Sequence, residues 1–538
     1  MFSVIDLLLT VAYIDGRLHE GEQAMIRRYA RKLAGHVADP SAPDSTAETW
    51  QARFDDAYAK FEAEITGIVE EVTASDDKTY VFTRLKVRAV ALFRSFTPAD
   101  QEVALELLHV VMQADGAIDD VERQLHDELV AYFRAAPTLT PAAAPPPAEK
   151  LELRAPRTLE LKVLGHPLLD QLEHRYAEDP AQLHAQLGGD YHSCFDAITA
   201  WERQRSRGNG RLLGVEDVAA LPPGTNWLDG HVQVIRPDRP TELIVLGDLH
   251  GCYSCLKGAL LQTDFIERVM RHRADPATHP DVKLVLLGDY IDRGRFSFEG
   301  VLRAALKLFV TFPENVILLR GNHEYLVRHE GTVVSAVNPA EAVPVLSTMA
   351  SPDLLEAYRH LFDHMPTSLV FDRVLFVHGG IPREDTLAER YRDLSSLDDA
   401  VVRFEMLWSD PVSTDRVPVE LQRESPRFNF GGEQFGEFMS RIGCHTLIRG
   451  HEQVDEGLAT AFDGAHRLHT LFSAGGADNS DLPAESRYRN VTPKGLLVRS
   501  EGSSLVGTPF DIEYRAFNQP ANNGPYRQAQ SSAIIGSR

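Results

Sequence analysis

Six short clusters of aspartate, asparagine, histidine and glycine lie in the second half of this 538-residue chain, and each follows a run of apolar residues. The runs with their clusters read ELIVLGDLHG, VKLVLLGDYIDRG, NVILLRGNHE, VLFVHGG, HTLIRGH and LHTLFSAGG. The oxygen atoms of Asp and Asn and the nitrogen atoms of neutral His suit divalent manganese, iron or zinc. Because the clusters contain no cysteine, they do not indicate a structural zinc site built on thiolates. The residue types therefore predict a site for a pair of divalent cations.

The apolar runs indicate how these ligands are brought together. Continuous Val, Ile and Leu runs of this length are typical of strands that are buried on both faces. Intervening segments such as VLRAALKLFVTF have the pattern of amphipathic helices, so the sequence predicts an α/β sandwich flanked by helices. In such sheets the polar side chains leave the core together where the strands end. Glycine beside each cluster allows a sharp turn and the close approach of a ligand.

The ordered motifs resemble a known family. GDLHG, GDYIDRG, RGNHE, HGG and RGH are similar to the signature of the phosphoprotein phosphatases, which are metal-dependent serine/threonine phosphatases. MLWSDP around Trp408 and FSAGGADN around Phe472 extend the resemblance over about residues 241–500. The resemblance implies a metallophosphoesterase β-sandwich, and we expect this catalytic domain at residues 240–510.

The resemblance assigns two cation positions to residues of these motifs. Asp248 and His250 are expected to hold the first cation, and Asp289 is expected to bridge both. The residues expected to complete the second position are Asn322, His378 and His451. Manganese is the expected metal, with iron and zinc as alternatives. Two cations about 3.5 to 4 Å apart can share a water and lower its pKa from about 15.7 towards ~7, which makes a hydroxide available for an in-line displacement.

The resemblance also assigns the proton donor and a contact to the phosphate. His323, oriented by Asp292, is expected to protonate the leaving group, and a general acid of this kind contributes roughly 10²–10⁴-fold to the rate. Arg293 is expected to bind phosphate oxygens through its planar guanidinium, a geometry that lysine could not match. Asn322 is expected to contact the phosphate as well as a cation.

A second phosphate-binding arginine usually precedes the family segment that matches FNFGG. Here the sequence QRESPRFNFGG offers Arg423 and Arg427 without a clean alignment. We predict that Arg427 takes this role. The tyrosine-bearing loop that follows FSAP in the eukaryotic enzymes is replaced by GGADNSDLP, so inhibitor and regulatory-subunit contacts are not expected to transfer.

The leading functional prediction is a metal-dependent phosphomonoester hydrolase that acts on phosphoserine or phosphothreonine in proteins. It would use a metal-bridging hydroxide and the His–Asp general acid. One alternative is a hydrolase of small phosphates such as diadenosine polyphosphates, because relatives with the same metal core act on these. Another alternative is a catalytically inactive binding scaffold, although a competent ligand stands at each metal position. The MLWSDP motif favours protein substrates.

Residues 1–136 have the pattern of an all-α helical bundle with an internal repeat. LLLTVAYIDGRLHEGEQ is echoed by ELLHVVMQADGAIDDVERQ, which pairs Asp15 with Asp115 and Glu22 with Glu122. In each copy an apolar helix stops at Asp-Gly, and acidic residues then suit the positive end of the next helix dipole. The repeat resembles the tellurite-resistance TerB-like helical domains, which implies a cation or a protein partner at these acidic turns. Helix capping by the same carboxylates is the alternative.

Composition gives the other boundaries. PTLTPAAAPPPAEK opens a Pro/Ala-rich linker assigned to residues 137–155, because Pro-rich segments form extended, semi-rigid spacers. Residues 156–239 are expected to form a mostly helical connector without chemistry of its own. Residues 511–538 are polar and contain Gly, Pro and Ser, which predicts a flexible tail.

The charge of the chain limits its partners. With 55 basic and 78 acidic residues the net charge is -23, which repels a nucleic-acid backbone. The first residues, MFSVIDLLLTVAYIDG, lack a basic leader and include Asp6, and no run reaches the ~18 apolar residues of a membrane span. The expectation is a cytoplasmic protein that binds a phosphoprotein or a small phosphate, but neither nucleic acid nor membrane.

Overall fold

A computed structural model gives the fold of the chain. It describes residues 2–14, 17–37, 46–73, 85, 88–89, 92–93, 96, 98–114, 122–123, 125–127, 129–130, 151–501 and 504–526. The chain divides into two compact units, Met1–Pro141 and Ala142–Arg538. Within the described part of the chain, no helix has both the length and the apolar character needed to cross a membrane.

The described part of the first unit is helical, as predicted. Its longer helices are α1 Phe2–Ala12, α2 Glu20–Val37, α3 Ala47–Thr73 and α4 Pro98–Met112. Residues 5–12 of α1 are all buried, because this helix is apolar on every side and the other helices pack around it. Its one acidic residue, Asp6, is paired with Arg88, whose Nη2 lies 2.9 Å from Asp6 Oδ1.

The acidic turns of the first unit are described only in part. Asp15 and Asp115 lie outside the described residues, whereas Glu22 and Glu122 are 1% and 6% exposed. Glu22 Oε2 accepts a hydrogen bond from the His19 N–H at 3.0 Å, just before α2 begins. This contact satisfies a backbone donor at the helix start, which is the capping role named above as the alternative. The likeness to TerB-like domains and the cation at these turns stay predictions.

The second unit contains the β-structure. Its strands in chain order are β1 Glu152–Leu153, β2 Thr225–Asp229, β3 Val232–Arg236, β4 Thr241–Leu246, β5 Asp281–Leu286, β6 Val316–Leu318, β7 Leu326–His329, β8 Thr332–Ser335, β9 Ser368–Phe371, β10 Val374–Val377, β11 Asp410–Pro411, β12 Asn429–Phe430, β13 Thr446–Arg449, β14 Leu458–Asp463, β15 Arg467–Leu471, β16 Lys494–Glu501 and β17 Ser504–Asp511. Two sheets carry most of them, in the orders β1-β17-β16-β4-β5-β6 and β14-β15-β13-β10-β9-β3-β2.

Helices cover the outer faces of both sheets. In chain order they are α5 Pro167–Asp170, α6 Pro180–Gly208, α7 Tyr253–Gln262, α8 Phe265–Ala274, α9 Arg303–Thr311, α10 Ala342–Ser347, α11 Pro352–His364, α12 Glu384–Arg390, α13 Ala400–Met406, α14 Val419–Arg423 and α15 Gly432–Ile442. A π-helical turn, Ser297–Leu302, leads into α9. The result is the predicted α/β sandwich flanked by helices.

Alternating side chains explain the layers. In β4, Leu243 and Val245 face the core between the two sheets, whereas Ile244 and Leu246 face the core beneath the helices. Because successive side chains of a strand point to opposite faces, a continuous apolar run is required where both faces are buried. The outer face of the second sheet has its own core, in which Phe435 of α15 packs.

The six apolar runs of the sequence form β4, β5, β6, β10, β13 and β15. Strands β4, β5 and β6 are parallel neighbours in one sheet, and β10, β13 and β15 are parallel neighbours in the other. An isolated bridge between Asp248 and Phe472 joins the carboxyl ends of β4 and β15 across the two sheets. All six polar clusters therefore meet at one edge of the sandwich.

The described residues differ from the predicted linker and tail, and they add strands to the predicted connector. Glu152 and Leu153, assigned to the linker, form β1 and pair with β17, and the connector contributes β2 and β3 to the second sheet. Residues 512–526, assigned to a flexible tail, pack against the domain. Phe517 and Asn523 are fully buried there, and the Gly524 N–H donates to Glu173 Oε2 at 2.8 Å. Residues 137–150 and 527–538 lie outside the described part of the chain.

Candidate metal centre

The residues predicted to hold cations converge at the edge where the strands end. They follow five strands: β4 leads to Asp248 and His250, β5 to Asp289, β6 to Asn322, β10 to His378 and β13 to His451. Each is at most 9% exposed. Because the chain brings two carboxylates, three imidazoles and an amide into one buried region, the site has the composition predicted from the motifs.

Three side chains form a first set of donor atoms. His250 Nε2 lies 3.7 Å from Asp248 Oδ2 and 3.4 Å from Asp289 Oδ2. Ligand atoms bound to one ion at about 2.0–2.2 Å lie roughly 3–4 Å from one another. The first set therefore has the spacing of the ligands of a single cation.

A second set shares Asp289 through its other oxygen. His378 Nε2 lies 3.3 Å from Asp289 Oδ1 and 2.8 Å from Asn322 Oδ1. His451 Nδ1 lies 3.0 Å from the same Asn322 Oδ1. Asp289 therefore has one oxygen in each set, which is the arrangement of a bridging carboxylate.

The hydrogen bonds of the imidazoles show which nitrogen atoms are available. His250 and His378 direct Nδ1 at the backbone oxygens of Ile291 and Leu287, each at 3.0 Å. A carbonyl oxygen only accepts, so Nδ1 carries the proton in both rings and Nε2 presents a lone pair to the site. His378 Nε2 and Asn322 Oδ1 then face each other as two lone pairs at 2.8 Å. A cation between them accounts for this contact, so the residues present fit a divalent metal.

Burial makes the site unfavourable without a cation. It raises the pKa of Asp248 to about 7, and burial followed by the nearby charge of Asp248 raises the pKa of Asp289 well above its ordinary value. Burial, with the neighbouring His323, lowers the pKa of His250 to about 3. Asp248 Oδ2 is buried without a hydrogen-bond partner. Buried carboxylates are costly unless they are paired or bind a metal, which this unpartnered oxygen is placed to do.

The backbone is strained at the same positions. Five of the eight non-glycine residues with positive φ in the described part of the chain belong to the site: His250, Asp289, Asp292, Arg293 and His451, with φ between 41 and 72°. A non-glycine residue with positive φ costs roughly 1–3 kcal/mol of conformational free energy, and this backbone conformation persists only where the surrounding structure holds it. The packed strands beneath the site supply that support.

A glycine allows the close approach that these turns need. A Cβ on Gly450 would lie 2.1 Å from Asp248 Oδ1, the atom that accepts the His451 N–H at 2.9 Å. A Cβ on Gly321 would lie 2.2 Å from Asp289 Oδ1, which accepts the His323 N–H at 3.1 Å. Any side chain at either glycine would push a carboxylate out of place.

His323 differs from the other imidazoles in its partner. Its Nδ1 lies 2.7 Å from Asp292 Oδ2, and its Nε2 points into the site, 3.9 Å from Asp289 Oδ2. Burial raises the pKa of Asp292, but the hydrogen bond and charge of His323 and two backbone N–H groups outweigh burial, so this pKa is lowered overall. A carboxylate that stays ionised stabilises a protonated imidazole, which is what a proton donor requires. His323 also lies close enough to His250 and Asp289 to serve as a metal ligand.

A cleft of about 580 Å³ opens above the buried ligands, and Arg293, Arg427 and His451 line it. Arg293 is paired with Glu341, and Arg427 Nε lies 2.6 Å from Asp410 Oδ2. Arg423, the other arginine considered from sequence, is instead paired with Asp385 and does not line the cleft. The site thus combines buried cation ligands with two arginines at its mouth.

Sequence reasoning missed four residues of the site. Glu324, at the end of RGNHE, accepts the backbone N–H groups of Asp289, Tyr290 and Gly321 and so fixes the bridging turn. The ring of Tyr488 stacks on His250, with centroids 5.3 Å apart. Glu341 and Asp410, the partners of the two arginines, complete the group. Glu324 lies in the RGNHE motif and Asp410 in MLWSDP, so the motifs themselves were a signal for these two residues. Tyr488 and Glu341 follow no periodic run and have no such signal.

A protein family and several known proteins resemble this chain. Residues 241–455 match the family described as calcineurin-like phosphoesterase. A "probable serine/threonine-protein phosphatase" of Encephalitozoon cuniculi is 26% identical over 292 residues, which are 52% of this chain and 58% of that protein. A serine/threonine-protein phosphatase of Caenorhabditis elegans is 28% identical over 267 residues, which are 47% of this chain and 54% of that protein. The chain thus spans little more than half the length of these relatives.

A solved structure also aligns with this chain. The protein serine/threonine phosphatase from Saccharomyces cerevisiae aligns with a TM-score of 0.40 and 16% identity, covering 61% of this chain and 90% of that one. The family match covers most of the strands and motifs that build the site. Residues 241–455 therefore match a calcineurin-like phosphoesterase domain, and the chain is similar to proteins described as serine/threonine-protein phosphatases.

Proposed function

We propose that the second unit is a metal-dependent phosphomonoester hydrolase whose substrates are phosphoserine and phosphothreonine in proteins. The observation that carries the proposal is the pair of ligand sets that share Asp289, with a His–Asp pair and two arginines beside them. The first position would be held by Asp248, His250 and Asp289, and the second by Asp289, Asn322, His378 and His451. When bound, two divalent cations there would lower the pKa of a water and neutralise charge on the phosphate.

His323 is proposed to supply the proton that the leaving alkoxide needs. Its Nδ1 is bound to Asp292, so Nε2 is the atom that delivers the proton into the site. Asp292 in turn accepts the N–H groups of Glu341 and Ala342 at its other oxygen, at 2.9 and 2.7 Å. Because these bonds fix the carboxylate, the imidazole is held in one orientation before substrate arrives.

Arg293 and Arg427 are proposed to bind the phosphate oxygens from the mouth of the cleft. Both line the cleft that opens above the buried residues. Each has a carboxylate partner in the structure, Glu341 for the first and Asp410 for the second. Such partners hold a guanidinium in place, and its remaining N–H donors stay available to phosphate.

Two features support protein substrates. The relatives named above are described as serine/threonine-protein phosphatases, and they align with 52% and 47% of this chain. The cleft also adjoins a second groove along Gln453, Asp455 and Glu456, so an extended chain has room to continue beyond a phosphorylated residue. A dinucleoside polyphosphate is the competing substrate, and a direct comparison decides between the two.

The test is a substrate panel on the full chain loaded with manganese. We expect hydrolysis of p-nitrophenyl phosphate and of phosphoserine and phosphothreonine peptides, with kcat/KM for the peptides above that for diadenosine tetraphosphate. Removal of metal by a chelator should abolish each activity, and manganese should restore it. Faster turnover of the dinucleotide would replace the proposed substrate, and no turnover of any ester with metal bound would refute the proposed reaction.

The two candidate arginines give a second prediction with a matched control. Arg427→Ala should lower kcat/KM by roughly 10–100-fold, the effect of losing about 1.5–3 kcal/mol from a hydrogen bond to a charged group. Arg423→Ala should leave kcat/KM unchanged, since this side chain is paired with Asp385 outside the cleft. Steady-state kinetics on p-nitrophenyl phosphate measures both. Equal losses in the two variants would contradict the assignment of Arg427.

A further inference from the structure

Glu341 contacts both residues of the Asp292–Arg293 pair although it lies 48 residues after Arg293. Its backbone N–H donates to Asp292 Oδ1 at 2.9 Å, where it stands as the residue before α10. Its carboxylate accepts the Arg293 backbone N–H at Oε2, at 3.0 Å, and pairs with Arg293 Nη1 at Oε1, at 2.8 Å. One residue therefore holds the group that orients His323 and the arginine that faces the phosphate.

The carboxylate fixes Arg293 at both ends. One oxygen holds the backbone of a residue whose φ is 65°, and the other holds its guanidinium. A free arginine side chain loses much rotational freedom when it binds a ligand, so an arginine that is already ordered binds phosphate more tightly. The guanidinium has five N–H donors, and Glu341 occupies Nη1 alone, which leaves donors for the phosphate.

A carboxylate beside a phosphate site also repels the substrate. Glu341 is 51% exposed, whereas Arg293 is 25% exposed, so water screens the charge of Glu341 more than that of the arginine. The two hydrogen bonds to Arg293 do not depend on this screening to the same degree, because they are short and direct. The ordering of Arg293 therefore outweighs the repulsion.

We propose that Glu341 is a positioning residue for Arg293 and that its carboxylate sets the affinity of the site for the phosphate group. The inference rests on the proposed function, in which Arg293 binds the substrate phosphate. Asp292 is held by the backbone N–H groups of Glu341 and Ala342, which remain when the side chain is changed. The carboxylate thus acts on phosphate binding, and proton transfer by His323 is independent of it.

The test measures phosphate affinity in two ways on the metal-loaded full chain: the dissociation constant of inorganic phosphate by calorimetry, and KM and kcat for p-nitrophenyl phosphate. Glu341→Ala should weaken phosphate binding and raise KM about tenfold, which is the effect expected on removing one charge-assisted hydrogen bond. The value of kcat and its pH profile should be unchanged. Glu341→Gln, whose single oxygen can accept from the Arg293 backbone N–H or from Nη1 but not from both, should cause a smaller loss, of about threefold. Glu485→Ala removes another carboxylate from the same cleft and should not weaken binding.

A double variant identifies the residue through which Glu341 acts. In an Arg293→Ala background, Glu341→Ala should have no further effect on phosphate affinity. Tighter phosphate binding by Glu341→Ala, or the same loss with Arg293 absent, would overturn the inference. If the wild type binds phosphate but hydrolyses none of the esters, the proposed function is wrong. The inference about Glu341 can still be judged in that case, because calorimetry measures phosphate binding without hydrolysis.

Discussion

Replacing His323 by alanine is expected to lower kcat by roughly 10²–10⁴-fold, the contribution of a general acid, while the metal content stays at the wild-type level. His323 Nδ1 is bound to Asp292, and Nε2 points towards Asp289 at 3.9 Å. The ligand sets around Asp289 are complete without this ring, as His250 serves one and His378 the other. Metal analysis and steady-state kinetics on the same preparation make the measurement.

The leaving group gives this experiment its control. The loss from His323→Ala should be larger for an alkyl phosphate such as a phosphoserine peptide than for p-nitrophenyl phosphate, whose leaving group needs no proton. His360→Ala, which changes an exposed histidine of α11, should leave both activities unchanged. A variant of His323 that lost a metal would show that this side chain is a ligand, a role that its distance from His250 and Asp289 also allows.

The convergence of the proposed ligands could be predicted from sequence because each of them is tied to a local pattern. Asp248, Asp289 and His451 each follow a buried strand and stand beside a glycine, so the order of the motifs specified which edge of the sheet they share. Parallel pairing of the strands then fixes the direction of every carboxyl end. Asp289 has one carboxylate oxygen in each set of donor atoms as a consequence of that arrangement.

Tyr488 and Glu341 could not be predicted, because they reach the site from irregular segments. Neither belongs to a periodic run, and each is placed by contacts with residues far away in the chain, His250 for the first and Arg293 for the second. Sequence patterns report which face of an element is apolar. They do not report which loop will pass over a cleft.

The error at residues 512–526 has a different cause. The composition of this segment is polar, which suggested a tail, yet Asn523 is fully buried. Its Nδ2 donates to the Phe517 backbone oxygen at 3.0 Å and to Ser254 Oγ at 3.2 Å, and the Tyr526 hydroxyl donates to Asp481. Composition reports how apolar a segment is, whereas this segment is held in place by specific hydrogen bonds of its polar groups. Such pairing becomes visible only when the partners are known.

Asp289→Asn should have the largest effect of the proposed changes, because one carboxylate supplies an oxygen to both ligand sets. Oδ2 lies 3.4 Å from His250 Nε2, and Oδ1 lies 3.3 Å from His378 Nε2. An asparagine would place N–H donors in one of these positions and would remove one of the two negative charges among the six ligands. We expect metal affinity to fall by more than the roughly 10–100-fold that loss of an outer-shell partner causes, with activity lost in parallel.

Thermal unfolding separates this loss from simple misfolding. Burial and the charge of Asp248 raise the pKa of Asp289 well above its ordinary value, so in the chelated protein near neutral pH this carboxylate opposes folding. Asp289→Asn removes that cost. The variant should therefore have a lower Tm than wild type with manganese present, and an equal or higher Tm once both proteins are chelated.

Asp264→Asn is the matched control for this reversal, since Asp264 also has a positive φ, of 57°, but lies outside the site and is paired with Arg271. It should change neither metal affinity nor the difference in Tm between loaded and chelated protein. If Asp289→Asn lowered the Tm equally in both conditions, its carboxylate would be supporting the fold itself. The reversal is specific to a carboxylate that is costly when buried alone and stabilising between two cations, because the same charge produces both effects.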